Sequence, residues 1–169
     1  MRKLLRLLGI LALVVACALG AFFVSMRFHD GPLEIISGGP FRSGELTPRP
    51  TSWEFIKERQ EIEFQTLAPE TSRTVWLGVV DTRLFLVSGY MNTGYGGLWK
   101  QWPHYLEGDD RVILRIDGKL YEQRLERVMG GEIVAPVLSE FGRKYGFGAV
   151  ADDSPITSGD TWMFEVVER

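Results

Sequence analysis

The chain has 169 residues, 45% apolar and 24% charged, enough for one packed core and too apolar for disorder. Up to Phe28 the only charges are Arg2, Lys3, Arg6 and Arg27, and the remainder carries 22 acids against 15 bases, a formal −7. A surface of that sign repels phosphate chains and argues against nucleic acid. The single cysteine, Cys17, permits no disulfide within the chain and leaves the later residues without a thiolate.

From Leu7 to Met26 no residue is charged. A helix of about 20 such residues spans a hydrocarbon layer of about 30 Å. Three bases before the run and one after it favour the N-terminus inside. Two other readings fit parts of the segment. Ala16-Cys-Ala18 or Ala18-Leu-Gly20 resembles a signal-peptidase exit, but Ala21-Phe-Phe-Val24 continues the apolar run past it. Val14-Val-Ala-Cys17 resembles a lipobox, yet the mature chain would then open with a greasy tether. An uncleaved single-pass anchor accounts for the whole run. The expected organisation is an anchor over 1–28, a linker leading into the domain over 29–58, and a domain over 59–169 outside the membrane, periplasmic or otherwise extracytoplasmic.

Residues 29–53 hold eight glycines and prolines and no long regular element. Gly38-Gly-Pro-Phe-Arg-Ser-Gly44 has the look of a phosphate cradle but lacks the Lys-Ser/Thr ending of a P-loop, so it reads as linker. Beyond Trp53 strand patterns dominate. Ile62 and Phe64 alternate with Glu61 and Glu63, and the apolar runs 73–80 and 83–88 flank Asp81-Thr82, a tight-hairpin pattern. Runs 111–116 and 119–128 flank Asp117-Gly118, the strongest short hairpin signal because both turn positions need positive φ. A last strand covers 161–167. Residues 133–145 carry apolar side chains at helical spacing, with Pro136 in the first turn and Gly146 as a stop. Residues 98–106 suggest a shorter helix. The order predicts a mainly β, α+β domain: a small six-stranded barrel with one packed helix, closed because closure removes exposed strand edges. A two-layer α+β sandwich is the competing architecture.

Chemistry is narrowed by what is missing. His104 is the only histidine beyond the membrane-proximal His29, no Gly-x-Ser-x-Gly elbow occurs, and no His, Cys and acid cluster has zinc spacing. Asp109-Asp110 and Asp152-Asp153 read as turn decoration. The segment from Ser88 to Tyr105 stands out: Gly89, Gly94, Gly96 and Gly97 are interleaved with Tyr90, Tyr95, Trp99, Trp102 and Tyr105. Glycines admit a ligand close to the backbone, aromatic faces stack on planar rings, and Lys100 can meet an anion. A helix beginning by Trp99 would place Lys100 and His104 on one face. The competing reading is a connection whose tryptophans plug the barrel end.

Arg73-Thr-Val-Trp-Leu-Gly-Val-Val-Asp-Thr-Arg-Leu-Phe-Leu-Val-Ser88, then Trp99-Lys-Gln-Trp-Pro-His104, then Arg111-Val-Ile-Leu-Arg-Ile-Asp-Gly-Lys-Leu-Tyr121 resembles the split β-barrel superfamily of pyridoxamine-phosphate-oxidase-like flavoproteins and deazaflavin-dependent nitroreductases. The resemblance covers about residues 60–145 and is one of element order and texture. It implies a flavin mononucleotide or deazaflavin lying along the barrel between the subunits of a homodimer. Arg73, Thr74, Ser88 and Lys100 would then hold its phosphate or another anion, and Trp76, Tyr90 and Trp102 would border its ring. Pro69-Glu-Thr-Ser-Arg-Thr74 departs from the pattern, with one arginine where the deazaflavin enzymes run Thr-Gly-Arg-Lys-Ser-Gly. A member that has lost its cofactor, serving as a non-enzymatic envelope domain, and a haem barrel with His104 as axial ligand are the alternatives.

The full-length protein is expected to stay with membranes through a carbonate wash, with Cys17→Ser making no difference. Release into the soluble fraction, or a mature N-terminus near residue 21, would refute the anchor.

Overall fold

A computed structural model describes residues 2–94, 100–146 and 152–169. Helix α1, Arg2–Met26, is long and apolar enough to cross a membrane by length and composition. Its side chains are exposed until the last, Met26, which is buried against the domain.

Seven strands follow: β1 Glu45–Leu46, β2 Glu61–Leu67, β3 Glu70–Val80, β4 Arg83–Ser88, β5 Arg111–Ile116, β6 Lys119–Val128 and β7 Trp162–Glu168. Six of them close a ring in the order β2-β3-β4-β7-β6-β5 and back to β2, every pair antiparallel. The two-residue β1 adds itself parallel to the start of β6. The expected six-stranded barrel is therefore present, with one short strand added. Both predicted hairpins turn through paired positive φ, 48° and 67° at Asp81-Thr82 and 51° and 74° at Asp117-Gly118. The Thr82 carbonyl also accepts a hydrogen bond from the Trp53 N–H at 2.9 Å, which pins the first hairpin to the arm before β2.

Alternation along the strands sends one set of side chains into the barrel and the other outward. Phe64, Leu77, Leu86, Leu114 and Val166 fill the interior, with Trp53 and Ile56 entering from the preceding segment. The short helix α2, Trp102–Tyr105, drops Trp102 into the same core. Residues 98 and 99 of the longer predicted helix lie outside the described residues. Helix α3, Val134–Tyr145, lies on the outer wall, where Val134, Val137, Leu138 and Phe141 pack on Phe85 and Met163. Gly146 ends it at φ 74°, as the sequence pattern predicts. Gly78 makes the contact possible, because a Cβ there would stand 2.6 Å from the Phe141 ring. A further short helix, α4 at Ser154–Thr157, carries no sequence signal beyond Pro155.

The segment 29–58 is packed against the barrel. Its centre is Arg115 on β5, whose Nε donates to Glu63 at 2.5 Å, Nη1 to the Asp30 carboxylate at 2.8 Å and Nη2 to the Asp30 carbonyl at 3.2 Å. Phe41 lies under the same guanidinium at 4.2 Å. Gly31, at φ 85°, sits so close that a Cβ would strike Arg115. Burial favours raising the Asp30 pKa, but hydrogen bonds from the Arg42 N–H, Ser43 and Arg115 outweigh it and hold the carboxyl at about 2. Gly38 exchanges two backbone hydrogen bonds with Ser72 on β3, and Ser72 Oγ donates to the Gly39 carbonyl at 2.5 Å. Added Cβ atoms at Gly38 and Gly39 would collide with the Gly31 and Arg27 carbonyls. The glycine pair that mimics a phosphate cradle in sequence thus serves close backbone packing.

Two glycine substitutions separate the two uses of this residue. Gly78→Val should cost about 1–3 kcal/mol in urea unfolding by lifting α3 off the wall. Gly118→Val should cost about 1 kcal/mol or more through its positive φ alone. Unchanged midpoints in either case would contradict the packing described.

Candidate functional site

Strands β3 and β4 are hydrogen-bonded only from Leu77↔Leu86 to Val80↔Arg83. On the Glu70 side of Leu77, β3 pairs with β2 and, at Ser72, with Gly38, while β4 continues along β7 to Ser88↔Trp162. The two strands part, and a cleft of about 280 Å³ opens between them. It is lined by Arg73, Thr74, Trp76, Val87, Ser88, Lys100 and Trp102, joined by Glu34, Ile35 and Glu61. Six of the seven residues singled out from the sequence are therefore brought together. The seventh, Tyr90, lines an adjoining cavity of about 300 Å³ that shares Trp76, Val87 and Lys100 with the cleft.

Arg73 stands opposite Phe64 in the β2–β3 ladder and so faces the interior side of the sheet. Its Nη2 donates to Ser37 Oγ at 3.2 Å, while its Nε is fully enclosed with no hydrogen-bond partner among the described residues. Burial pushes its pKa below the ordinary arginine value, with Tyr105 opposing the shift. A desolvated guanidinium without a counter-charge is costly, and an anion in the cleft at its accessible Nη donors would offset part of that cost. Lys100 is likewise held below the ordinary lysine range by burial. Neither has a carboxylate ion-pair partner among the described residues. Lys100 Nζ lies 5.5 Å above the Tyr90 ring, and Tyr90 adopts a positive φ of 62°, an unusual conformation for an aromatic residue.

Trp76 points outward from β3, 44% exposed, and stacks on Tyr145 at 4.6 Å with 13° between the planes. The Tyr145 hydroxyl accepts from the Leu77 N–H at 2.9 Å and reaches the Gln60 carbonyl at 2.6 Å. Burial raises its pKa to about 12. Thr74 lies on the outer side with Trp76. Ser88 is buried, its hydroxyl 3.4 Å from the Met91 sulfur.

Trp102 is placed differently from a ring-stacking residue. It is 4% exposed, edge-on to Phe64 at 5.0 Å and 5.3 Å from Phe164, so it fills the barrel end and shows the cleft only its margin. The expected shared face of Lys100 and His104 does not form, because α2 begins at Trp102. His104 lines neither cavity; it lies 3.7 Å from Glu107 and edge-on to Trp162 at 4.9 Å, which gives a haem no ligand in the cleft. Asp109 and Asp110 pair with Arg111 and Arg124. Asp152 accepts from the Ser154 N–H at the start of α4. No group of three His, Cys, Asp or Glu able to hold a metal occurs among the described residues.

Sequence reasoning did not include Glu34, Ile35 and Glu61. The first two come from a turn closed by two Leu33–Ile36 backbone hydrogen bonds, inside a segment whose glycines and prolines read as linker. The Ile35-Ile36 pair was the one signal available there.

No protein-family model matches the sequence, and no curated protein matches it. Among solved structures, a conserved hypothetical protein of Mycobacterium tuberculosis is 16% identical, aligning 69% of this chain with 77% of its own at a TM-score of 0.48. A Listeria innocua protein provisionally assigned as a pyridoxamine 5′-phosphate oxidase is 10% identical over 66% and 86% of the two chains, with a TM-score of 0.44. An FAD-binding protein of Mesorhizobium loti is 11% identical over 68% and 84%, with a TM-score of 0.40. Likenesses at this level decide nothing about the chemistry of this chain, whose fold rests on its own strand pairing.

Lys100 gives the cleft a pH signature. A bound anion favours the charged ammonium, so affinity should be greatest while Lys100 is protonated and fall as pH rises through its lowered pKa, below the usual lysine range. Titration of flavin mononucleotide across alkaline pH, against Lys100→Gln, checks this; identical profiles for the two proteins would show that Lys100 does not meet the anion.

Proposed function

We propose that this is a membrane-anchored split-barrel protein whose β3–β4 cleft binds a flavin mononucleotide or a deazaflavin for a redox reaction. The observation that carries the reading is that Arg73, desolvated and without a carboxylate partner among the described residues, lines a cleft that also collects Lys100, Thr74 and Ser88. Arg73 and Lys100 supply charge for the anionic end, and Thr74 and Ser88 supply hydroxyls. Trp76 and Tyr90 offer aromatic surface to a planar ring, and Trp102 closes the inner end. Such a cofactor, when bound, supplies hydride transfer, while the protein supplies position and electrostatics. A second copy covering the exposed Trp76 and Tyr90 would make the homodimer that the family resemblance implies.

In this reading α1 crosses the membrane with Arg2, Lys3 and Arg6 inside and the barrel outside. Glu34 and Glu61 favour a second reading, because both line the same cleft and oppose an anion. In that case the barrel is a non-enzymatic envelope domain using the cleft for another ligand or partner.

Titration of the detergent-solubilised full chain with flavin mononucleotide and with a deazaflavin, followed by tryptophan quenching, separates the two. Saturable binding is expected, weakened about tenfold or more by Arg73→Gln, which removes a charged hydrogen bond. It should also weaken with salt, since part of the charge is exposed. No saturable binding by either ligand, in protein with a strand-rich circular dichroism spectrum, would leave the non-enzymatic reading standing.

A further inference from the structure

The cavity beside the cleft has a character of its own. It lies on the outer wall, between α3, the end of β4 and the start of β7, with Val87, Leu138, Phe141 and Pro155 as apolar walls. Gly142 lines it from within α3. Glycine inside a helix is unfavourable relative to alanine. Neighbouring Phe141 already makes the packing contact, through Gly78. Gly142 lines the cavity, so any larger side chain at that position would take up part of its space. Gly89 leaves room as well: a Cβ there would meet nothing nearer than Thr161 Oγ1 at 3.7 Å.

The polar margin is equally specific. Asp160 and Thr161 line the cavity, and neither side chain has a hydrogen-bond or ion-pair partner among the described residues. With Lys100 on the rim shared with the cleft, the margin carries one charge of each sign. A charged guest would meet a like charge on this margin as well as an opposite one, whereas a neutral hydroxyl can donate to the Asp160 carboxylate without that conflict.

We propose that this cavity is a separate binding site for a flat, uncharged hydroxy-aromatic molecule, with its ring against Val87, Leu138 and Phe141 and its hydroxyl donating to Asp160. The site does not depend on a flavin in the cleft. Because Trp76, Val87 and Lys100 border both spaces, a guest here would lie directly beside whatever occupies the cleft.

The probes are 2-naphthol and naphthalene, titrated calorimetrically into the full-length protein in detergent with empty micelles subtracted. The expected result is one saturable site for 2-naphthol and weaker binding of naphthalene, with Asp160→Asn narrowing the difference. Gly142→Leu, which strengthens the helix while filling the cavity, should weaken 2-naphthol about tenfold or more, as an added side chain in an apolar pocket does. The same variant should leave flavin mononucleotide titrations unchanged, and Arg73→Gln should do the reverse. Thr161→Leu narrows the cavity from the other side should Gly142→Leu unfold. Binding of 2-naphthol by a folded blocking variant as tightly as by the natural protein would overturn the proposal. So would non-saturable uptake, or loss of both ligands together in Arg73→Gln.

Discussion

One seam of the closed barrel parts because of a limit on hydrogen bonding: β3 and β4 share a ladder of only four residue pairs, Leu77–Val80 with Leu86–Arg83. A closed six-stranded ring needs every neighbouring pair joined somewhere, and this pair is joined just enough. Beyond Leu77 the two strands follow different partners, β2 and Gly38 for β3 and β7 for β4, and the gap opens between them. The cleft that gathers Arg73, Lys100 and Trp76 opens at that divergence. The free edge of β3 is also where the Gly38 arm pairs with Ser72, which protects a strand edge and supplies Glu34 and Ile35 to the rim.

The rim cations differ from the domain's ion-paired arginines. Arg83, Arg111, Arg115, Arg124 and Arg143 each sit against one or more carboxylates, and their pKa values are raised. Arg73 and Lys100 are desolvated without such partners, and theirs are lowered, as are those of Arg127 and Lys144 outside the cleft. Cations left in that state destabilise a folded protein, and such costs concentrate at sites that bind something. Glu34 and Glu61 temper the field without forming an ion pair with either cation.

Much of the fold could be read from the sequence because its signals are local. Asp117-Gly118 and Asp81-Thr82 declare their hairpins, period-two alternation declares the walls, and Gly146 declares the end of α3. Six of the seven residues expected at the site share one cleft because their signal was also local: two strand ends and a glycine-rich aromatic connection. Other features depend on contacts far apart in sequence. That Gly38-Gly39 packs against the carbonyls of Gly31 and Arg27, that Gly31 makes way for Arg115, and that Trp102 turns inward onto Phe64 all require knowing what lies across the fold. Glycine and proline content alone cannot distinguish a loose linker from an arm whose turns are dictated by a neighbour.

The Arg115 clamp also governs mechanics. Met26 is buried and Asp30 is already tied to β5, so only three residues separate the end of α1 from a fixed point on the barrel. A joint that short has almost no torsional slack. Turning α1 by a single residue position, about 100° around its axis, would have to swing the barrel with it. Helix and barrel therefore move as one lever, and whatever sets the tilt and rotation of the helix also sets the direction in which the cleft faces.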